Sequence, residues 1–379
     1  MLDHTEDEAM LVDAVERFCR EQLADALPAH SREHRFPTEL VRAFGELGYL
    51  GTAYDPAYGG AGLGTRGAAL VAEILARTDP SFAAVFLCNS APASLIARFG
   101  SDEQKREFLE PVCAGRMIGS FGVTEPHGGS DVANIRTKAV RDGDDWILSG
   151  AKIFSTNAGT PLHGFSTVVA VTDPDKGPKG LTSFVVPVGT RGFSVGRPAA
   201  KIGWRFADSV ELYFDDVRIP DRYRIGDPGD GLKQVLSVLS IGRVLVAATG
   251  LGLARRAIDL SIAHGRDRRL FGKSILEHQG LAFPLADVLT GIHAAELMVR
   301  HSAMLVDSGR PFRNETSKTK LFASQLAVDA ALKAVQVHGA LGVFEDCPAA
   351  SLIGEAKVLE IVEGTSEIQR MVIARELLA

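Results

Sequence analysis

Four short segments of this 379-residue chain combine residue types that could do chemistry. In Glu360-Ile361-Val362-Glu363-Gly364-Thr365-Ser366-Glu367, Glu363 sits between an apolar pair and a glycine. A carboxylate desolvated by such neighbours gains a raised pKa and suits proton abstraction. In Phe121-Gly122-Val123-Thr124-Glu125-Pro126-His127-Gly128-Gly129-Ser130-Asp131, paired glycines beside hydroxyl residues let a backbone approach an anion with N–H and O–H donors. In Gly150-Ala151-Lys152-Ile153-Phe154-Ser155-Thr156-Asn157, an aromatic stands two residues before a hydroxyl donor. On a strand those two share a face, which suits a planar heteroaromatic ring. In Arg266-Asp267-Arg268-Arg269-Leu270-Phe271-Gly272-Lys273, followed by Gln279, a basic cluster at a helix end could clamp a pyrophosphate. Taken singly, each has a plainer reading: a helix-capping glutamate, a tight surface turn, a half-buried strand and a solvated charge run.

Other chemistries find no support. There is no H-E-x-x-H, P-loop or G-x-S-x-G, and the ten histidines lack metal-ligand spacing, so no metal is expected. Gly250-Leu251-Gly252 lacks the third glycine of a dinucleotide fingerprint and lies inside a helical run. A net charge of −6 argues against nucleic-acid binding. The four cysteines, Cys19, Cys88, Cys113 and Cys347, are far apart, as free thiols in a reducing compartment would be. The acidic N-terminus shows no signal peptide. The apolar stretches near Leu245 and Val335 carry Gly, Arg, Lys or His, which predicts no transmembrane helix. A soluble cytoplasmic protein is the expectation.

The elements that must position these segments fall into three blocks. From Thr5 to about Gly119 the apolar spacing is helical, with Thr5/Glu8 and Ser101/Gln104 as capping boxes and a loop at Pro56 and Gly59–Gly62. Between Phe121 and Pro228, β-rich runs at 145–148, 166–171, 183–186 and 209–214 alternate with Gly-rich turns, which predicts a small barrel or sandwich. Amphipathic segments at 231–264, 276–308, 315–339 and 349–378 predict a four-helix bundle. The fold class is thus α+β multidomain: an N-terminal α-helical domain (1–120), a middle β domain (121–228) and a C-terminal bundle (229–379).

The four segments, in this order and at these separations, resemble the acyl-CoA dehydrogenase family. So do Tyr58-Gly59-Gly60-Ala61-Gly62, Phe99-Gly100-Ser101-Asp102-Glu103-Gln104-Lys105, Lys201-Ile202-Gly203-Trp204-Arg205 and Gln336-Val337-His338-Gly339, so that the resemblance covers essentially the whole chain. It implies FAD between β domain and bundle. Phe121, Val123, Thr124, Gly129 and Ser130 would line the flavin and its phosphates, with Phe154, Ser155 and Thr156 packed on the ring. Thr365 and Glu367 would hold the same FAD, while Arg268, Phe271, Gln279, Gln336 and Gly339 would reach that of a neighbouring subunit. Glu363 matches the family's base. Some members carry the base one residue before the bundle arginine instead, but here that position is Gly242, followed by Arg243. Ser130, Arg243 and Gly364 would serve the substrate.

The implied reaction is α,β-dehydrogenation of an acyl thioester, carried on CoA or on an acyl-carrier protein. Glu363 would remove the α-proton and the flavin would take the β-hydride. An electron-transferring flavoprotein or similar acceptor and a homo-oligomer, a tetramer by the family's habit, complete the expectation. Val362, Phe154, His127, Ala340 and Gly354 depart from common family choices, which bears on substrate and acceptor. An acyl-CoA oxidase or other flavin redox enzyme on this fold is the alternative chemistry. A non-catalytic acyl-thioester-binding protein is the alternative class.

Overall fold

The computed structural model describes residues 4–378. Its first part comprises α1 (Glu6–Phe18), α2 (Leu27–Glu33), α3 (Thr38–Glu46), α4 (Gly64–Thr78), α5 (Pro80–Phe99) and the short α6 (Asp102–Gln104) and α7 (Glu110–Cys113). Both capping boxes form, each satisfying two free backbone donors at a helix start. Asp79 caps α5 by accepting from Phe82 N–H at 3.0 Å. Pro80 fills the first turn, where its missing N–H costs nothing.

The middle strands are β1 (Ile118–Gly122), β2 (Lys138–Asp142), β3 (Asp145–Ser155), β4 (His163–Val171), β5 (Leu181–Pro187), β6 (Phe193–Val195), β7 (Val210–Pro220) and β8 (Arg224–Ile225). Among the described residues they form one mixed sheet in the order β6-β7-β3-β2-β4-β5-β8, with β1 parallel to β4. The four runs read from the sequence fall on strands, except that Ser209 precedes β7. β3 and β5 are three strand spacings apart, about 14 Å in a flat sheet. Yet Trp146 of β3 meets Phe184 of β5 at 5.4 Å between ring centroids. The sheet therefore folds over on itself around Leu148, Phe165, Val168, Val186, Leu212 and Phe214, the sandwich that the alternation implies.

The C-terminal part comprises α8 (Gly231–Asp267), the hairpin β9 (Arg269–Leu270) and β10 (Lys273–Ser274), α9 (Gln279–Asp307), α10 (Arg313–His338), α11 (Pro348–Ile361) and α12 (Ser366–Ala374). α8 is buried on nearly every side and packs on α4, α5, α9, α10 and α11. The helix expected over 349–378 is not continuous: residues 362–365 break it. Gly364 is a poor helix residue, and Thr365 starts a new helix by accepting from Ile368 N–H at 3.3 Å.

The expected absence of a transmembrane helix is not confirmed. α5, α8, α9 and the stretch Arg313–Val343 are each long and apolar enough to cross a membrane by length and composition, so scattered polar residues do not rule that out. The apolar windows of α5 and α8 are 72% and 83% buried inside the protein, but those of α9 and Arg313–Val343 only 28% and 33%. The last two thus turn apolar faces outward, among them Phe283, Leu289, Leu297, Leu332 and Leu341.

The connection between β6 and β7 meets the bundle along a seam of backbone and buried polar groups. A Cβ on Gly203 would lie 2.4 Å from the Gly354 carbonyl, so the two backbones are in direct contact. Beside them, the buried Glu355 accepts from Ser81 Oγ and from Trp204 N–H, both at 2.8 Å. Burial pushes Glu355 up to about 7, with Asp79 adding to the shift.

Candidate active site

The break between α11 and α12 places Glu363. Its φ is +55°, in the left-handed region that a non-glycine residue occupies at a cost, and Gly364 follows at +88°. Side chains from two helices hold this linker. Lys320 Nζ, on α10, donates to Glu360 O at 3.1 Å and Gly364 O at 2.9 Å. Gln369 Nε2, on α12, donates to Glu363 O at 3.1 Å and Gly364 O at 2.7 Å.

The Glu363 carboxylate lies against α8. A Cβ on Gly242 would come within 2.7 Å of Glu363 Oε2 and 2.9 Å of its Cδ, so only glycine leaves this space. Oε2 is shielded from solvent and has no hydrogen-bond partner. Burial pushes Glu363 up to about 7 against the opposing pull of Arg243 and Lys320. Arg243 is buried, donates to Ser317 Oγ at 3.1 Å and keeps an unpartnered Nε. Burial brings Arg243 down to about 10 and Lys320 to about 8. A partner-free carboxylate near neutral pKa is what a general base requires.

The end of β3 reaches the same region. The β3–β7 register shifts between Lys152 and Ser155, and Phe154 has a φ of +58°. The expected shared face of Phe154 and Thr156 is therefore not that of a regular strand: Phe154 is 72% exposed, whereas Thr156 is half-buried beyond the strand end. Ser155 is buried with a partner-free Oγ. The following turn is anchored twice, by Asp208 accepting from Asn157 and Gly159 N–H, and by Asn157 Nδ2 donating to Val85 O at 3.0 Å. Cys88 on α5 links the two halves. It is pushed up to about 12, mainly by burial and then by the charge of Glu363, with Thr156 opposing.

Phe121 lies half-buried near the end of β1, and the Gly-rich segment leaves the strand as a loop pinned at Glu125. That buried carboxylate accepts from Lys152 Nζ at 2.7 Å, Arg136 N–H at 2.7 Å, and Thr137 N–H and Oγ at 2.9 and 2.6 Å. Burial opposes its ionisation, but Lys152 and these donors prevail and hold it below the usual range. Val123 is buried and Thr124 half-buried, and Gly129 folds back so closely that a Cβ would meet Thr124 Cγ2 at 2.9 Å. Ser130 is exposed.

Thr365, half-buried, and Glu367, exposed, begin α12 directly after Glu363 and Gly364. Arg268, Phe271, Gln279, Gln336 and Gly339 form a separate exposed group at one end of the bundle. Stacking of His264 on His338 at 4.5 Å ties the ends of α8 and α10 there, and Phe271, 95% exposed, tips the β9–β10 hairpin. Between Arg243 and Arg268 the chain advances roughly 37 Å along α8, so the two groups do not share one pocket. Sequence reasoning missed Lys320, Gln369 and Cys88. Within helical runs they read as a surface lysine, a surface glutamine and a spare thiol, and no local signal marks them otherwise.

Comparison with known proteins agrees with this geometry. Residues 5–116, 120–217 and 229–378 match the family models described as acyl-CoA dehydrogenase N-terminal, middle and C-terminal domains. A probable acyl-CoA dehydrogenase of Bacillus subtilis is 37% identical over 99% of this chain and 98% of its own. The butyryl-CoA dehydrogenase structure from Megasphaera elsdenii superposes with a TM-score of 0.96 at 32% identity, covering 100% of both chains. A glutaryl-CoA dehydrogenase from Mycobacterium smegmatis in complex with FADH2 does so with 0.93 at 30%, covering 99% of this chain and 95% of that one. The chain belongs to the acyl-CoA dehydrogenase family, and it is an oxidoreductase of that class.

Proposed function

We propose that the protein is an FAD-dependent acyl-thioester dehydrogenase with Glu363 as its base. The observation that carries this reading is the half-buried Glu363, raised to about 7, whose Oε2 is shielded from solvent and partner-free against Gly242. The residues present suit a flavin. Ser155 Oγ is buried without a partner, and Phe154 offers an exposed ring in a left-handed backbone. A glycine-rich loop is pinned to β3 by the Glu125–Lys152 pair. Phe121, Val123, Thr124, Gly129, Ser130, Phe154, Ser155, Thr156, Thr365 and Glu367 would hold FAD, which supplies a two-electron acceptor for the β-hydride.

The remaining work falls to side chains and backbone. Glu363 takes the α-proton while its own N–H donates to the developing enolate oxygen, an interaction worth about 3–4 kcal/mol in comparable sites. Arg243, Ser130 and Gly364 serve the thioester. The apolar surroundings keep water away and hold the base near neutral pKa. The product is a trans-α,β-unsaturated thioester, and an electron-transferring flavoprotein or similar acceptor reoxidises the protein.

A homotetramer in the cytoplasm is part of the reading. It is supported by the outward apolar faces of α9 and α10 and by the separation of the Arg268 group from Glu363. Anaerobic titration with a panel of acyl-CoAs, followed in the flavin band near about 450 nm, is the test. Bleaching by one chain class supports the reading and names the substrate class. A protein with bound FAD that no acyl-CoA bleaches, nor any carrier-bound acyl group, sinks it. Oxygen consumption without an added acceptor would move it to an oxidase.

A further inference from the structure

Lys320 is among the largest fully buried side chains of the protein, yet its ammonium is not committed to a carboxylate. Its two hydrogen bonds go to backbone carbonyls, Glu360 O at 3.1 Å and Gly364 O at 2.9 Å, one on each side of Glu363. Burying an ammonium is costly, and a helix C-terminus could be satisfied by water or by an exposed side chain. A second donor, Gln369 Nε2, converges on Gly364 O at 2.7 Å and on Glu363 O at 3.1 Å. Together they bridge α10, α11 and α12 across the stretch where Glu363, a non-glycine residue, holds φ at +55°.

We propose that Lys320, with Gln369, is a positioning residue. It fixes the carbonyls on either side of Glu363 so that the carboxylate is aimed at the gap over Gly242, and its charge helps to set where that carboxylate titrates. Without the clamp, the linker relaxes toward ordinary backbone conformations and carries the carboxylate off its line. Misplacement by about 1 Å costs on the order of a hundredfold in rate. Lys320 touches no reacting atom and acts only through the linker.

The charged and titratable groups around Glu363 are Arg243 on α8, Lys320 on α10 and Cys88 on α5. Glu360 and Glu367 face Lys320 from α11 and α12, and Arg313 faces Arg243 from the start of α10. Arg243 and Lys320 are the two that favour the ionised base. Removing Lys320 therefore raises the pH at which Glu363 ionises.

This inference rests on the proposed role of Glu363, and the experiment separates the two. Lys320→Met, Gln369→Leu and Glu363→Gln are purified with bound FAD, and flavin bleaching by butyryl-CoA is followed in single turnovers across pH. For Lys320→Met, a rate loss of about tenfold to a hundredfold is expected with little change in butyryl-CoA affinity. The acidic limb of its pH profile moves to higher pH. Gln369→Leu, which removes a donor but no charge, loses rate with its limb unmoved. If Glu363→Gln is inactive while both clamp variants bleach at the wild-type rate, the clamp is only structural and the proposal fails, although the base stands. Should Lys320→Met not fold, an undiminished rate in Gln369→Leu overturns the proposal alone. Full activity in Glu363→Gln removes the underlying reading instead.

Discussion

Glu363 combines a backbone φ of +55° with a carboxylate that lacks a hydrogen-bond partner. Neither would persist unless the surroundings over-determined it, and both suit the proposed role of a base that must be aimed and incompletely solvated. Glu363→Gln should keep FAD and fold while turnover falls by about 10²–10⁴-fold, read in steady-state assays against the acyl thioester that bleaches the wild-type flavin. Because burial raises this group to about 7, the free enzyme carries it largely protonated and idle below that pH. kcat/KM should therefore rise with pH through about 7, and a profile flat from pH 5 to 8 would contradict the assignment. Gly242 is the complementary residue. A Cβ there would stand 2.7 Å from Oε2, and the flexible carboxylate, not the backbone, would give way. Gly242→Ala should fold normally yet lose about tenfold to a hundredfold in kcat, as misaligned bases do. An alanine variant with wild-type kcat would show that the gap has no role.

The elements explain how much of this was legible beforehand. Capping boxes at Thr5/Glu8 and Ser101/Gln104 are local hydrogen-bond logic, and they form as read. The runs in β3, β4, β5 and β7 were visible as β-rich stretches bounded by turn residues, even where β4 and β5 are buried on both faces. The α11–α12 break was not, since Val362 and Glu363 carry no strong breaker signal and only Gly364-Thr365 hinted at one. Phe154 was placed on the face of Thr156 by a period that the bulge in β3 cancels. Lys320 escaped because lysine in a helical run ordinarily reads as solvated surface. The seam at Gly203 and Gly354 belongs to this scale as well. Gly203→Ala would drive a Cβ into backbone atoms at 2.4 Å, where nothing flexible can yield. Destabilisation of about 1–3 kcal/mol is expected, seen as a lower melting temperature and easier loss of FAD. An unchanged melt would mean that the seam is looser than drawn.

For the whole molecule, the question is what covers α9 and α10. Their apolar windows are only 28% and 33% buried, and Phe271 stands out at the hairpin tip. The proposed assembly would close both faces and bring the Arg268 group to a neighbour's cofactor. Light scattering on the eluting holoprotein should give a mass of about four chains, with a monomer as the contrary result.

The same outward faces bear on how the protein behaves when it is made. A lone chain would carry into solution apolar rows of the kind that drive clumping. If a neighbour's Arg268, Phe271 and Gln279 complete each FAD site, cofactor supply and assembly become one step. Cells short of riboflavin would then yield insoluble material instead of soluble, colourless enzyme, and feeding the vitamin during expression would raise the soluble yield without any change to the gene.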